Sequence, residues 1–282
     1  MRAPHVLARE AAAEFRAGLA GGIAPLIFTG LTAYLLLVLS DAGYMRDMNA
    51  ADVPRNAPML VYLMTPGMSF FLFFAWAWVF GQCVARERQA QLHEMVLAAP
   101  VPLAALLAGR WLGAWGVALL LGASQAVGFV AAPLLEAAGL VPAGSMGPTP
   151  WAALTWSWLI YTVPLSAGCG ALYLLAALRT RGMAGPFAVA ALLCVAWMTA
   201  MVVIKEGHIS DFLVALIDPS GFGEAERQVL DWTPQEKRGA LIAVTPGFAL
   251  NRVLWGLAPV LWLAWALPRV RRERLVLEAP AV

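Results

Sequence analysis

Charge is what this chain has least of. Only 13% of its 282 residues are Asp, Glu, Lys or Arg, and 61% are hydrophobic; soluble domains carry about 25% charged residues. Nineteen basic and seventeen acidic residues leave a net charge of +2. That balance excludes a nucleic-acid binder, which needs a dense basic face, and the apolar excess excludes disorder. A soluble domain this apolar could not cover its surface with polar groups. Cysteine is scarce as well: Cys83, Cys169 and Cys194 are odd in number and lack CxxC spacing. They form neither a disulfide framework nor a zinc site and read as small core residues.

Catalytic chemistry is equally thin. His5, His93 and His208 are far apart, and His93-Glu94 starts an H-E-x-x-H pattern that fails because Leu97 holds the second histidine position. Neither G-x-S-x-G nor G-x-x-x-x-G-K-[ST] occurs, so the chain has no serine elbow and no phosphate loop of its own. No cofactor or metal site is expected in it. No Asp, Glu or His lies deep in an apolar run, which counts against an intramembrane enzyme and against proton or sodium coupling.

What is present is a series of runs without charge: Ala17 to Ser40, Asn56 to Ala85, Trp111 to Leu135, Gly182 to Ile204 and Val253 to Pro268, with Glu136 the one charge between Trp111 and Leu178. A hydrocarbon core about 30 Å thick takes roughly 20 residues of helix. The long run from Trp111 must therefore be two helices, broken at the Gly/Pro cluster Gly139–Gly144. The expectation is an all-α polytopic membrane protein, a single membrane domain over 1–282, with six spans near 19–40, 60–84, 109–134, 151–178, 184–204 and 247–268. A seventh is the alternative if part of 205–246 re-enters the membrane. Span four is long enough to tilt or to hold an interfacial turn at Pro164. Twelve Trp and nineteen Pro suit membrane interfaces and spanning helices.

Arginines mark one side. Arg2, Arg9 and Arg16 precede span one; Arg86, Arg88 and Arg110 fall between spans two and three; Arg179 and Arg181 between four and five; Arg269, Arg271, Arg272 and Arg274 after six. The other side has Arg46, Arg55, Lys205, Arg227, Lys237 and Arg238, four of them in one long loop diluted by acids, with Arg252 at the mouth of span six. The positive-inside rule puts both termini in the cytoplasm. The first apolar run is too long for a signal-peptide core and no A-x-A site follows it, so no cleaved leader is expected.

Between the spans, residues 1–18 include an amphipathic lead-in (Leu7, Ala11, Phe15, Leu19) with Arg9, Glu10, Glu14 and Arg16 among its polar positions. It reads as a helix in the headgroup plane, or else as a charged stub. Residues 86–108 read as a short amphipathic helix, with Leu92, Met95 and Val96 at helical spacing, stopped by Pro100 and Pro102. In 205–246, Asp218-Pro219-Ser220-Gly221 reads as a turn and Thr233-Pro234-Gln235-Glu236 as a capping box, which fits two short outer helices. Gly18/Gly22 and Gly109/Gly113 form GxxxG pairs, with Gly116 near the second. They serve packing within the chain or, as the alternative, between subunits. Thr29, Thr32, Ser69, Ser124, Gln125, Thr162, Ser166 and Thr199 either face a pathway or bond back to their own helix. No repeat relates spans 1–3 to 4–6, so an inverted-repeat carrier has no support.

One stretch resembles a known family. Arg86-Glu87-Arg88, Leu92-His93-Glu94-Met95-Val96, Ala98-Ala99-Pro100 and Gly109-Arg110-Trp111-Leu112-Gly113 look like the coupling segment of permease subunits of ATP-binding-cassette (ABC) transporters of the type 2 export class. Leu216–Gly221, Asp231–Lys237 and Asn251–Trp255 resemble a bacterial subgroup of these permeases sometimes fused to an aminopeptidase-like domain. Here the peptidase part is absent and Ser220 replaces the usual aromatic. The resemblance implies a bacterial inner-membrane exporter subunit that is not itself an enzyme. A second permease, identical or paralogous, would complete the pathway, and a separate ATP-binding subunit would hold ATP and magnesium. Arg86, Glu87, Arg88 and Glu94 would make polar contacts to that ATPase, with Leu92, Met95 and Val96 entering its groove. Membrane lipid is the other partner; nucleic acid is not one. The rival readings are a non-transporting scaffold or assembly factor and a channel or uniporter.

Overall fold

The computed structural model describes residues 3–205 and 210–271; His208, Arg2, Arg272 and Arg274 lie outside them. The helices are α1 (Ala3–Ala20), α2 (Ile23–Ser40), α3 (Ala42–Asp47), α4 (Pro58–Gly67), α5 (Ser69–Gln89), α6 (His93–Ala98), α7 (Leu103–Ala131), α8 (Pro133–Ala137), α9 (Trp151–Ser157), α10 (Val163–Thr180), α11 (Ala184–Lys205), α12 (Asp211–Ile217), α13 (Phe222–Leu230), α14 (Pro234–Gly239), α15 (Pro246–Arg252) and α16 (Ala258–Ala266). No strand occurs among the described residues. Among the described residues, six continuous helical units are long and apolar enough to cross a membrane: Ile23–Ser40, Ser69–Gln89, Leu103–Ala131, Trp151–Thr180, Ala184–Val203 and Pro246–Arg269. Their outer faces carry bare aliphatic side chains such as Leu26 (73% exposed) and Leu192 (69%), a surface that only an apolar solvent suits.

The spans on α5, α7 and α9–α10 form the buried centre, while those on α2, α11 and α15–α16 expose most of their surface. Two buried aromatic side chains bond the backbone of a neighbouring helix. Trp76 Nε1 donates to the Ala118 carbonyl at 3.1 Å and the Tyr173 hydroxyl to that of Phe73 at 3.0 Å. Of the polar residues that could face a pathway, Thr29, Thr32, Ser124, Ser166 and Thr199 donate to carbonyls three or four residues back in their own helices. Gln125, buried in α7, has neither side-chain atom hydrogen-bonded.

Spans four and six each contain a turn of π-helix, Trp158–Thr162 and Val253–Leu257, and each is followed, after one intervening residue, by a proline, Pro164 or Pro259. Proline has no N–H for the carbonyl one turn back and its ring crowds that carbonyl, so the helix widens there instead of breaking. The widened turns meet. A Cβ on Gly168 would fall 1.8 Å from the Trp255 carbonyl oxygen, and one on Gly256 would fall 2.9 Å from Pro164 Cβ. Pro164 therefore marks a bulge within an uninterrupted span, not an interfacial turn.

Three other boundaries differ from the sequence reading. Span two starts at Ser69, because Pro66 and Met68 end the preceding ten-residue α4, which is buried and too short to cross. Span one starts at Ile23, since the chain turns at Gly22 with φ 73°. The segment after α11 contains three short helices, α12 to α14, not two; the capping box is formed, with Thr233 and Glu236 bonding each other's backbone N–H. Those bonds hold the Glu236 carboxyl below its usual range. At this end Arg55, Lys237 and Arg238 donate to the carbonyls of Leu39, Asn49 and Asp52, stitching the loops together.

Replacing Gly168 by Val should destabilise the protein by about 1–3 kcal/mol or more through overpacking. Gly30→Val, at a helical glycine with nothing within 4 Å, should cost far less. Thermal midpoints of the two variants in detergent check this.

Candidate functional site

The arginine-rich end of the bundle is built on glycines. α1 runs alongside α7 in the same direction. A Cβ on Gly109 would lie 2.6 Å from the Leu7 carbonyl oxygen, one on Gly113 2.3 Å from that of Ala11, and one on Gly116 2.9 Å from the Phe15 ring. Side chains there would hold the backbones apart. Gly18 abuts Val117, so three of the four GxxxG glycines sit at this contact. Gly22 is different: with positive φ and nothing within 4 Å, it serves the turn and not packing.

This approach turns Glu14 inward and brings Glu10 within reach of α7, where the sequence showed both only as polar positions of an amphipathic helix. Glu14, 4% exposed, pairs with Arg86 Nη2 at 2.5 Å. Arg110, on the second turn of α7, is 6% exposed and does not lie in a loop. Its guanidinium grips the Glu87 carboxylate with both Nη atoms, donates to the Cys83 carbonyl at 3.0 Å, and has Nε 3.5 Å from Glu10. The fork-to-fork geometry is the strong form of an ion pair. α1, α5 and α7 thus share one charged junction. The sequence showed Glu10 and Glu14 one helical turn apart, but nothing local names a partner 72 to 100 residues away.

Over the junction lies α6. α5 ends with Gln91 at φ 56°, while Gln91 N–H and Leu92 N–H bond the carbonyls of Arg88 and Glu87. This is a Schellman stop, made here without glycine. The sequence reading of one short helix within 86–108, running to the stop at Pro100, is therefore corrected: Arg86, Glu87 and Arg88 close the second span, and α6 is His93–Ala98 alone. His93, Val96 and Leu97 face a cavity of about 30 Å³ that Glu87 and Arg110 also line. Leu92 (49% exposed), Met95 (73%) and Glu94 point outward.

Of the seven residues assigned to ATPase docking, Leu92, Glu94 and Met95 are thus presented. Val96 is half-buried against the core. Arg86 and Glu87 are engaged in pairs within the chain, Arg86 with 40% of its side chain still exposed, and Arg88 is half-buried.

At the opposite end, two motif stretches meet. Asn251 donates to the carbonyls of Ala215 and Asp218 at 2.8 and 2.6 Å, and Arg252 to that of Pro219 at 3.2 Å, its guanidinium 5.1 Å above the Phe248 ring. Ser220 donates its hydroxyl to Asp218 at 2.7 Å and accepts from Phe222 N–H. A serine hydroxyl therefore bonds within this turn. Burial pushes the Asp218 carboxyl up, opposed by bonds from Gly223 and Ser220 and by the Arg252 charge.

Fold and surface define the chain as an all-α multi-pass membrane protein. Comparison with protein-family models, curated proteins and solved structures gives no match.

Removing one member of the junction strands its partner. Arg110→Met should cost about 3–5 kcal/mol, and Arg110→Met/Glu87→Met should recover much of that, because an apolar pair replaces a buried ionic one. Equal losses for Arg110→Met and for Arg9→Met, at an exposed position, would show that the junction ties nothing together.

Proposed function

We propose that the chain is the membrane permease subunit of an ABC exporter, driven by a separate ATP-binding subunit that docks on α6. The observation that carries this reading is α6 itself: a short helix outside the spans that exposes Leu92, Glu94 and Met95 while its other face rests on a buried ionic junction. Exposed Leu and Met around a single acid suit a partner's groove better than water. Rigidity beneath the helix suits force transmission, since a push on α6 reaches α1, α5 and α7 together. The sequence has no phosphate loop, and energy for transport would come from ATP and magnesium in the partner.

In this reading the arginine-rich end and both termini are cytoplasmic, in a bacterial inner membrane. A second permease, identical or paralogous, completes the pathway. ATP-driven closure of the paired ATPases tilts the two bundles between inward- and outward-facing states.

The test is purification in mild detergent after co-expression with the genes that flank it, followed by identification of what stays bound. A stoichiometric complex whose ATP turnover changes on assembly supports the reading; a chain that emerges alone overturns it and favours a scaffold or a channel. Met95→Glu should weaken the complex about tenfold or more, the cost of losing one buried apolar anchor. Glu94→Lys should insert normally yet uncouple ATP turnover from transport, and unchanged coupling in that variant removes Glu94 from the docking set.

A further inference from the structure

A cleft of about 600 Å³ opens on the flank of the bundle between α10, α11 and α16. Its walls are apolar, including Leu172, Leu175, Val189 and Trp262. Its mouth at the arginine-rich end is lined by Arg179, Arg181, Arg269 and Arg271, and among the described residues no acidic side chain lines it. Arg269 stacks 4.1 Å over the Trp265 ring and donates to the Trp265 carbonyl, which holds one guanidinium at the rim. Arg181 closes α10 in a left-handed conformation at φ 58°, which brings the chain round at the mouth.

Four guanidiniums gathered at one end of an apolar slot describe an amphiphile: acid at one end, hydrocarbon below. Trp262 and Trp265, 51% and 59% exposed, are of the type that sits at headgroup level. Each arginine near such a surface contributes about 1 kcal/mol of attraction to anionic lipid. We infer that this cleft is a binding site for an anionic phospholipid of the surrounding membrane, with the headgroup phosphate among Arg179, Arg181, Arg269 and Arg271 and an acyl chain along Leu172, Leu175 and Val189. The inference rests on the membrane-spanning fold and not on the transporter reading. Leu178 is common to this cleft and to the small cavity under α6, so the lipid would lie one side chain from the docking helix.

The test is native mass spectrometry of the full chain in detergent, titrated with phosphatidylglycerol or phosphatidylcholine. The chain should retain phosphatidylglycerol preferentially. Arg179→Gln/Arg269→Gln should weaken that binding about thirtyfold, which is ~2 kcal/mol at 1.4 kcal/mol per factor of ten. Leu175→Trp, which fills the slot and keeps every charge, should also lose the lipid. Arg9→Gln/Arg16→Gln removes the same charge from the exposed face of α1 and should leave binding unchanged. Thermal midpoints near that of the parent confirm that each variant is folded. Equal loss in the α1 control would overturn the site in favour of diffuse attraction to a basic rim. Equal retention of the two lipids, or displacement of phosphatidylglycerol by millimolar glycerol phosphate, would overturn it as well.

Discussion

An arginine set where a helix enters an apolar bundle must bring counterions with it, because an isolated charge there costs several kcal/mol. Arg110 imposes that condition on three helices. Glu87 meets it from the end of α5, Glu10 from α1, and the Cys83 carbonyl accepts a third bond. Glu14 and Arg86 extend the set. The position of α1 follows, since a helix contributing two carboxylates to a buried cluster cannot drift on the headgroups. The end of α5 follows too: Arg86 and Glu87 continue the helix past the apolar run because their charges are answered inside the protein.

Glycine makes these pairings reachable. α1 approaches α7 so closely that Cβ atoms at Gly109 and Gly113 would strike backbone, and only at that separation do carboxylates on α1 reach guanidiniums on α5 and α7. Spans four and six use the same device differently. There a proline follows each widened turn, and a glycine on the facing span gives room: Gly168 beside the Trp255 carbonyl and Gly256 beside Pro164. Backbone proximity, more than interlocking apolar side chains, sets these contacts, as expected where lipid supplies no hydrophobic drive between helices.

The two ends of the bundle then differ in kind. One end is closed by short helices and by Arg, Lys and Asn side chains that bond loop carbonyls. The other presents a small helix on an ionic base beside an apolar cleft rimmed with arginine. Docking a soluble partner at that end and holding an acidic lipid beside it are compatible, because Leu178 separates the two places.

Composition and the charge-free runs determined by themselves that the chain is helical and that it crosses a membrane, because burying unpaired backbone or charge in hydrocarbon is too costly to allow other solutions; they left six spans or seven. Local chemistry was legible too: the Thr233–Glu236 box and the break at Gly139–Gly144 are short-range events written in adjacent residues. Span limits were less so, since Pro66 and Met68 stop α4 inside an apolar run, while paired charges let α5 outrun its own. The site was legible only in part. Leu92 and Met95 were read from helical spacing, whereas the pairing of Arg86 and Glu87 within the chain was not. Whether a charge faces a partner or its own protein depends on counterions up to 100 residues away, and only the tertiary structure brings those into contact.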